Sequence, residues 1–151
     1  MNRLYDTNII LAIIRSNDNN ILSFLNPKGV KIYISVATEA EIKSIALRSK
    51  WGALRLAKLD AFLDRVNIME ITQHYINTYI EIDTYSQCSN PEFTDYPFKS
   101  PRNMGKNDLW IAALAALLGL KLVTTDGDFD HLNKIFFEID KINSEDFIKF
   151  F

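Results

Sequence analysis

The segment KLVTTDGDFDHL, Lys121 to Leu132, carries Asp126, Asp128 and Asp130 at every second position after a short apolar run. Like charges crowded this way repel, and the crowding costs stability unless something positive sits among them. Two arrangements answer it: a solvated turn, or part of a cation site completed from elsewhere in the chain. Further acids stand where they could complete one. Asp6 directly follows the short run Arg3 to Tyr5, Glu41 lies about one turn into a helical stretch, and Asp108 opens NDLWIAALAALLG. At a helix N-terminus the backbone dipole favours the ionised form of such a carboxyl. No histidine joins them: His74 opens a helical stretch elsewhere, and His131 reads as a surface or packing residue. The one cysteine, Cys88, excludes an internal disulfide and a thiolate zinc cluster. Oxygen ligands alone suit a hard cation, Mg²⁺ or Mn²⁺. Such ions serve phosphoryl chemistry by polarising a phosphate and lowering the pKa of a bound water. Taken singly, each acid has a plainer role. Asp6 and Asp108 could only cap helices, Glu41 could be a solvated face residue like Glu39, and Asp130 reads as turn polarity. The joint pattern is what points to a site.

For these acids to meet, the chain must bring distant segments to one place. Strands are expected at Arg3–Tyr5, Val30–Val36, Val66–Ile71, Lys121–Thr125 and Ile135–Ile139, from their β-branched and aromatic content. Helical spacing appears up to Arg15, over Ile21–Leu25, Thr38–Leu47, Trp51–Leu63 and Gln73–Tyr85. The run after Asn107 and Asp108 is apolar all round, which predicts a buried helix ending at Gly119. Strands alternating with helices predict an α/β layer fold with a largely parallel sheet. In such sheets ligands bind beyond the carboxyl ends of the strands, where strand order reverses. Asp6 and Asp126 would end neighbouring strands there.

The stretch from Cys88 to Asn103 has no clear periodicity, and loops of that length are usually functional or mobile. Its end, YPFKSPRNMGKND, leads into Asp108 and carries Lys99, Arg102 and Lys106, with Phe93, Tyr96 and Phe98 just before them. Cations beside aromatic rings suit single-stranded RNA, the cations on phosphates and the rings on bases. The plainer alternative is a proline-stiffened connector whose aromatics tuck against the domain. A chain of 151 residues suits one domain, and a net charge of −2 excludes a global basic field for nucleic acid. The N-terminal residues do not read as a signal peptide, and no apolar run is long enough to span a bilayer. A soluble cytoplasmic protein is expected.

LYDTNIILAII, ISVATEAEIKSI, GKNDLWIAALAALLG and LVTTDGDFDHL resemble, in order, the four signature blocks of the PIN-domain nucleases, especially the VapC-type toxins. The resemblance implies a single PIN-like three-layer α/β/α sandwich over residues 1–151, with a mainly parallel sheet of about five strands. It implies a metal-dependent endoribonuclease that cuts RNA with metal-activated water and needs no protein nucleophile. Asp6, Glu41, Asp108 and Asp126 fall on the family's catalytic, metal-binding acids, and Asp128 on a further metal position. Thr7, Asn8, Asn107 and Thr124 fall on the polar companions that orient the carboxylates. The biological role it implies is a toxin neutralised by a cognate antitoxin. Antitoxin docking and homodimerisation would both use the apolar excess on the helices from Thr38 to Leu63. The alternative within the fold is a catalytically inactive scaffold acting by protein–protein binding. A response-regulator receiver would need adjacent N-terminal acids, and a haloacid-dehalogenase phosphatase an Asp-x-Asp where this chain has Asp6-Thr7-Asn8.

Overall fold

The computed structural model describes residues 1–151. Its elements run β1 (Arg3–Tyr5), α1 (Thr7–Arg15), α2 (Asn20–Leu25), β2 (Ile32–Ser35), α3 (Val36–Arg48), α4 (Ala53–Arg65) and β3 (Asn67–Met69). They continue with α5 (Ile76–Ser86), α6 (Lys106–Leu118), β4 (Lys121–Thr124) and β5 (Ile139–Lys141). The five strands form one sheet in the order β3-β2-β1-β4-β5, and every pairing is parallel. Order therefore reverses at β1, with β2 on one side and β4 on the other.

Strand alternation builds the layers. Leu4 and Leu122 point into a core shared with α5 and α6, where Ile82, Leu109 and Ala113 are buried. Their sequence neighbours Tyr5 and Val123, with Ile34, point into a second core that Ile9 and Ile14 of α1, Ile42 of α3 and Leu59 of α4 fill. Two apolar faces, each covered by helices, make the three-layer α/β/α sandwich. The run Thr7–Arg15 becomes a helix because Asp6 caps it, accepting from the Thr7 backbone amide at 2.8 Å, and because its isoleucines recur on one face. Gly119 ends α6 in the left-handed conformation, φ 63°, that a glycine adopts without a Cβ clash.

Strands β2 and β3 are shorter than their sequence suggests, the stretch Gln73–Tyr75 forms a 3-10 turn ahead of α5, and two further elements differ more. The fifth strand begins at Ile139, where the apolar run Ile135–Ile139 ends. Around Asn133–Phe137 the chain instead makes a tight turn, with Lys134 at φ 64° and its amide donating to the Phe137 carbonyl at 2.7 Å. Ile135 stays exposed, while Phe136 packs on Tyr85 with ring centroids 5.2 Å apart. The rings are buried from a turn, so their apolarity carries no strand signal. Helix α6 is buried along its middle, from Leu109 to Ala115, while Lys106 and Asn107 at its start and Leu117 and Leu118 at its end face solvent.

Candidate metal centre

Parallel pairing of β1 with β4 places Tyr5 opposite Val123, so the next residues of both strands meet at the sheet's carboxyl edge. There the Asp6 amide donates to the Val123 carbonyl at 3.1 Å, and the Thr124 hydroxyl donates to Asp6 Oδ2 at 2.8 Å. The same hydroxyl accepts from the Asp126 amide at 3.0 Å. Thr124 is wholly buried and Asp6 nearly so. One threonine thus aligns the floor carboxylate with the loop that follows β4. On the other side Thr7, the first residue of α1, donates from Oγ1 to Glu41 Oε2 at 3.0 Å. That bond draws Glu41 of α3 toward the same edge.

Asp108 projects from the first turn of α6, half-buried, and Asp126 is half-buried above Thr124. Asp128, exposed, donates its amide to Asp126 Oδ1 at 2.9 Å. The turn Gly127–Leu132 is pinned from below by Phe129 and Leu132, both fully buried. One carboxylate oxygen from each of Asp108, Asp126 and Asp128 lies within 4.8 Å of the other two. Asp6 and Glu41 lie outside this tight set but within its field. Burial, and then the charges of Asp6, Asp126, Asp128 and Glu41, push the Asp108 carboxyl up to about 6. Burial also raises Asp6, against the bonds from Thr124 and Thr7, and Asp126 and Glu41 raise it further. None of the chain's ion pairs neutralises any of these five acids. Asp130 is different: it pairs with Lys141 at 2.8 Å and is not one of the close set.

The donor set tests whether a metal fits. It consists of hard carboxylate oxygens, close together and unneutralised, which is the composition a hard divalent cation takes. Asp108, Asp126 and Asp128 would hold the ion, with Asp6 beneath and Glu41 beside them. Of the four polar companions, Thr7 and Thr124 bond to acids, whereas Asn8 and Asn107 are exposed and make no side-chain bond to any of them.

Lys99, Arg102 and Lys106 are exposed and free of ion pairs. The aromatics just before them are not available to bases. Phe93, Tyr96 and Phe98 gather around Tyr85 at centroid separations of 4.6, 5.3 and 5.5 Å. Burying such rings stabilises the loop more than exposing them for stacking would. The loop is therefore a strap with its rings inward and its cations outward. Ser86 carries no signal in the sequence, and His131 reads there as a surface or packing residue. In the fold, His131 Nε2 lies 2.8 Å from Ser86 Oγ, and its ring stacks parallel to Tyr85. Burial, then the Arg102 charge, lowers its pKa. No residue pattern around a lone serine at a helix end announces such a contact.

The family model for the PIN domain matches residues 3–135. This chain belongs to the PIN-domain family. Among curated relatives, it is 28% identical over 127 residues to a protein named Ribonuclease VapC2 from Haemophilus influenzae. That alignment covers 82% of this chain and 85% of the relative. A protein named Ribonuclease VapC from another strain of that species matches to the same extent. Among solved structures, VapBC2 from Rickettsia felis, bound to a DNA fragment from their promoter, aligns with a TM-score of 0.73 at 24% identity. The match covers 93% of this chain and 98% of that one. VapBC-1 from nontypeable Haemophilus influenzae aligns at TM-score 0.69 and 22% identity, with the same coverage of both chains. A toxin–antitoxin complex from Klebsiella pneumoniae aligns at 0.61 and 20%, covering 84% and 89%. At these identities the structures establish the PIN fold.

Proposed function

We propose that this protein is a metal-dependent endoribonuclease, the toxin of a toxin–antitoxin pair, acting as one domain over residues 1–151. The observation that carries the reading is the unneutralised cluster of Asp108, Asp126 and Asp128, with Asp6 and Glu41 beside it, at the strand-order reversal of a PIN-domain sheet. The names of the curated relatives support the choice of RNA.

The chain's own groups divide the work. Mg²⁺ or Mn²⁺, when bound, supplies a Lewis acid for the phosphate and acidifies a water for attack. Asp6, Asp108, Asp126 and Glu41 provide the negative field that fixes where that positive charge resides. Asp128, at the rim, completes the set. Thr124 and Thr7 hold Asp6 and Glu41 in one orientation, so the site is organised before substrate arrives. Lys99 and Arg102 on the strap, and Lys106 at the start of α6, take the RNA backbone. A protein nucleophile is not needed.

The antitoxin partner is proposed from the toxin–antitoxin complexes that share the fold. The chain offers it an apolar groove of about 520 Å³ between α1, α2 and α4, lined by Ile13, Ile21, Leu22 and Phe62, with Lys58 and Arg65 at its rim. Leu47 and Leu54 stand 82% and 74% exposed on α3 and α4, more apolar surface than a solvated helix pair needs. A homodimer contact or the antitoxin would cover it. No helix is long and apolar enough to cross a membrane, which accords with the cytoplasmic location proposed for such a toxin.

The experiment that tests the reading is sequencing of RNA ends after brief induction of the protein in cells, with Asp6→Asn as control. New ends at defined sites, absent with Asp6→Asn, are expected. Growth inhibition that persists with Asp6→Asn and brings no new ends would point instead to an inactive scaffold that works through protein binding.

A further inference from the structure

His131 is half-buried, titratable and unused by the chemistry above. Its surroundings are mostly aromatic: the Tyr85 ring lies parallel to it at 6.4 Å, and Phe98 meets it edge-on at 5.4 Å. A phenylalanine or leucine would fill that space as well. An imidazole brings a directional bond in addition: Nε2 pairs with Ser86 Oγ at 2.8 Å.

Ser86 has a second attachment. It closes α5, is 1% exposed, and its carbonyl accepts the Arg102 amide at 2.7 Å. One buried residue therefore touches both arms of the site. Through its carbonyl it fixes the strap at Arg102, and through His131 it reaches the turn that carries Asp126 and Asp128. Arg102 also lies over the Phe98 ring at 5.5 Å, on the strap side of the same imidazole. Packing alone tolerates sliding, whereas a buried hydrogen bond selects one arrangement, because breaking it leaves a polar group unpaired.

We propose that His131 is a positioning residue: it locks the acid turn to the cation-bearing strap, so that the carboxylates and the RNA-facing charges keep one spacing. The inference rests on the reading of the site as a metal-dependent ribonuclease centre. His131 touches neither substrate nor metal; it belongs to the acid turn and acts on the strap through Ser86.

The test compares the parent protein with His131→Phe, His131→Gln and Ser86→Ala. Three quantities are measured: the melting temperature, the Mn²⁺ dissociation constant by calorimetry without RNA, and KM and kcat on an oligoribonucleotide spanning a cleavage site mapped in cells. His131→Phe keeps the ring packing and should fold. It should weaken Mn²⁺ binding by about 10-fold, the usual effect of removing a support behind the ligands, and raise KM. A glutamine amide reaches where Nε2 stood, so His131→Gln should restore most of the Mn²⁺ affinity and bring KM back toward the parent's. Ser86→Ala removes the same bond and should change both quantities in the direction that His131→Phe does. A working parent whose His131→Phe form keeps both Mn²⁺ affinity and KM overturns this inference alone. So does a pattern in which all three variants lose melting temperature together and the glutamine rescues nothing. A parent that neither binds Mn²⁺ nor cuts RNA overturns the ribonuclease reading, and this inference with it.

Discussion

At the level of single residues, the site is defined by carboxylates that the fold forces together without cationic partners. Asp6→Asn, Glu41→Gln, Asp108→Asn and Asp126→Asn change charge with almost no change of shape. Each should lower RNA cleavage by on the order of 100-fold or more, as removal of an organised charge does, while circular dichroism shows the fold intact. Asp130→Asn breaks only the exposed pair with Lys141 and should leave cleavage near the parent's. An Asp108→Asn protein with parental activity would remove that acid from the site. The pH dependence follows from Asp108, whose carboxyl is raised to about 6 by burial and its acidic neighbours. The folded state then holds that proton more tightly than the unfolded state does. The destabilisation is present in full above about pH 6 and is relieved as pH falls toward the ordinary carboxylate range. Metal-free protein should therefore melt at a higher temperature at pH 5 than at pH 7, by a modest amount because the group is half-exposed. Asp108→Asn should melt higher than the parent at pH 7 and lose most of the pH effect. Calorimetric scans at both pH values check this, and a parent that melts lower at pH 5 contradicts it. These acids are legible in the sequence because each stands next to an apolar run that predicts its strand end or helix start. The bonds of Thr7 to Glu41 and of Thr124 to Asp6 join residues 34 and 118 positions apart. Spacing alone does not announce such pairs, and only the family resemblance singles the threonines out.

Among the elements, the strap from Cys88 to Gly105 shows where local reading stops. Its cations and rings suggest one RNA-binding surface, but the rings point to Tyr85 and only the cations face solvent. Sequence composition cannot tell the two apart, because a ring that stacks on a base and a ring that closes a loop onto a core have the same hydrophobicity. Burial decides it, and burial depends on Tyr85 arriving from α5. The apolar run before β5 misleads for the same reason: Phe137 is buried, and Phe136 partly so, from a turn. Strands β1 and β4 and helix α1 are readable to within a residue, since their period and their flanking acids agree. RNA contact by the strap therefore falls to its cations alone. Lys99→Ala with Arg102→Ala, in an Asp108→Asn background that does not cut, should weaken RNA binding and reduce its salt slope by about one for each phosphate no longer neutralised. Melting temperature should hardly change, because both side chains are exposed and unpaired with acids. Fluorescence anisotropy across a salt series measures it. Superimposable curves would move RNA contact to the basic residues of α3 and α4, from Lys43 to Lys58.

For the molecule as a whole, the parallel sheet makes the site possible. Because β1 and β4 run the same way side by side, loops from both open at one edge, and α3 and α6 deliver Glu41 and Asp108 there. The opposite consequence is the apolar surface left on α3 and α4. Leu54→Glu should weaken self-association or antitoxin binding, measured by sedimentation, without changing RNA cleavage by the isolated protein. A protein that stays monomeric at all concentrations and binds no antitoxin would remove the proposed role for that face. Everything proposed for the edge of the sheet depends on the carboxylate cluster acting only with a divalent cation. The decisive assay incubates the purified protein with total RNA in Mg²⁺ or Mn²⁺, with and without excess chelator, beside Asp6→Asn. Discrete fragments should form with metal and none with chelator, cleavage should recover when metal is restored, and Asp6→Asn should give no fragments under any condition. Cleavage by the parent protein that continues unchanged in excess chelator would contradict the metal-dependent mechanism.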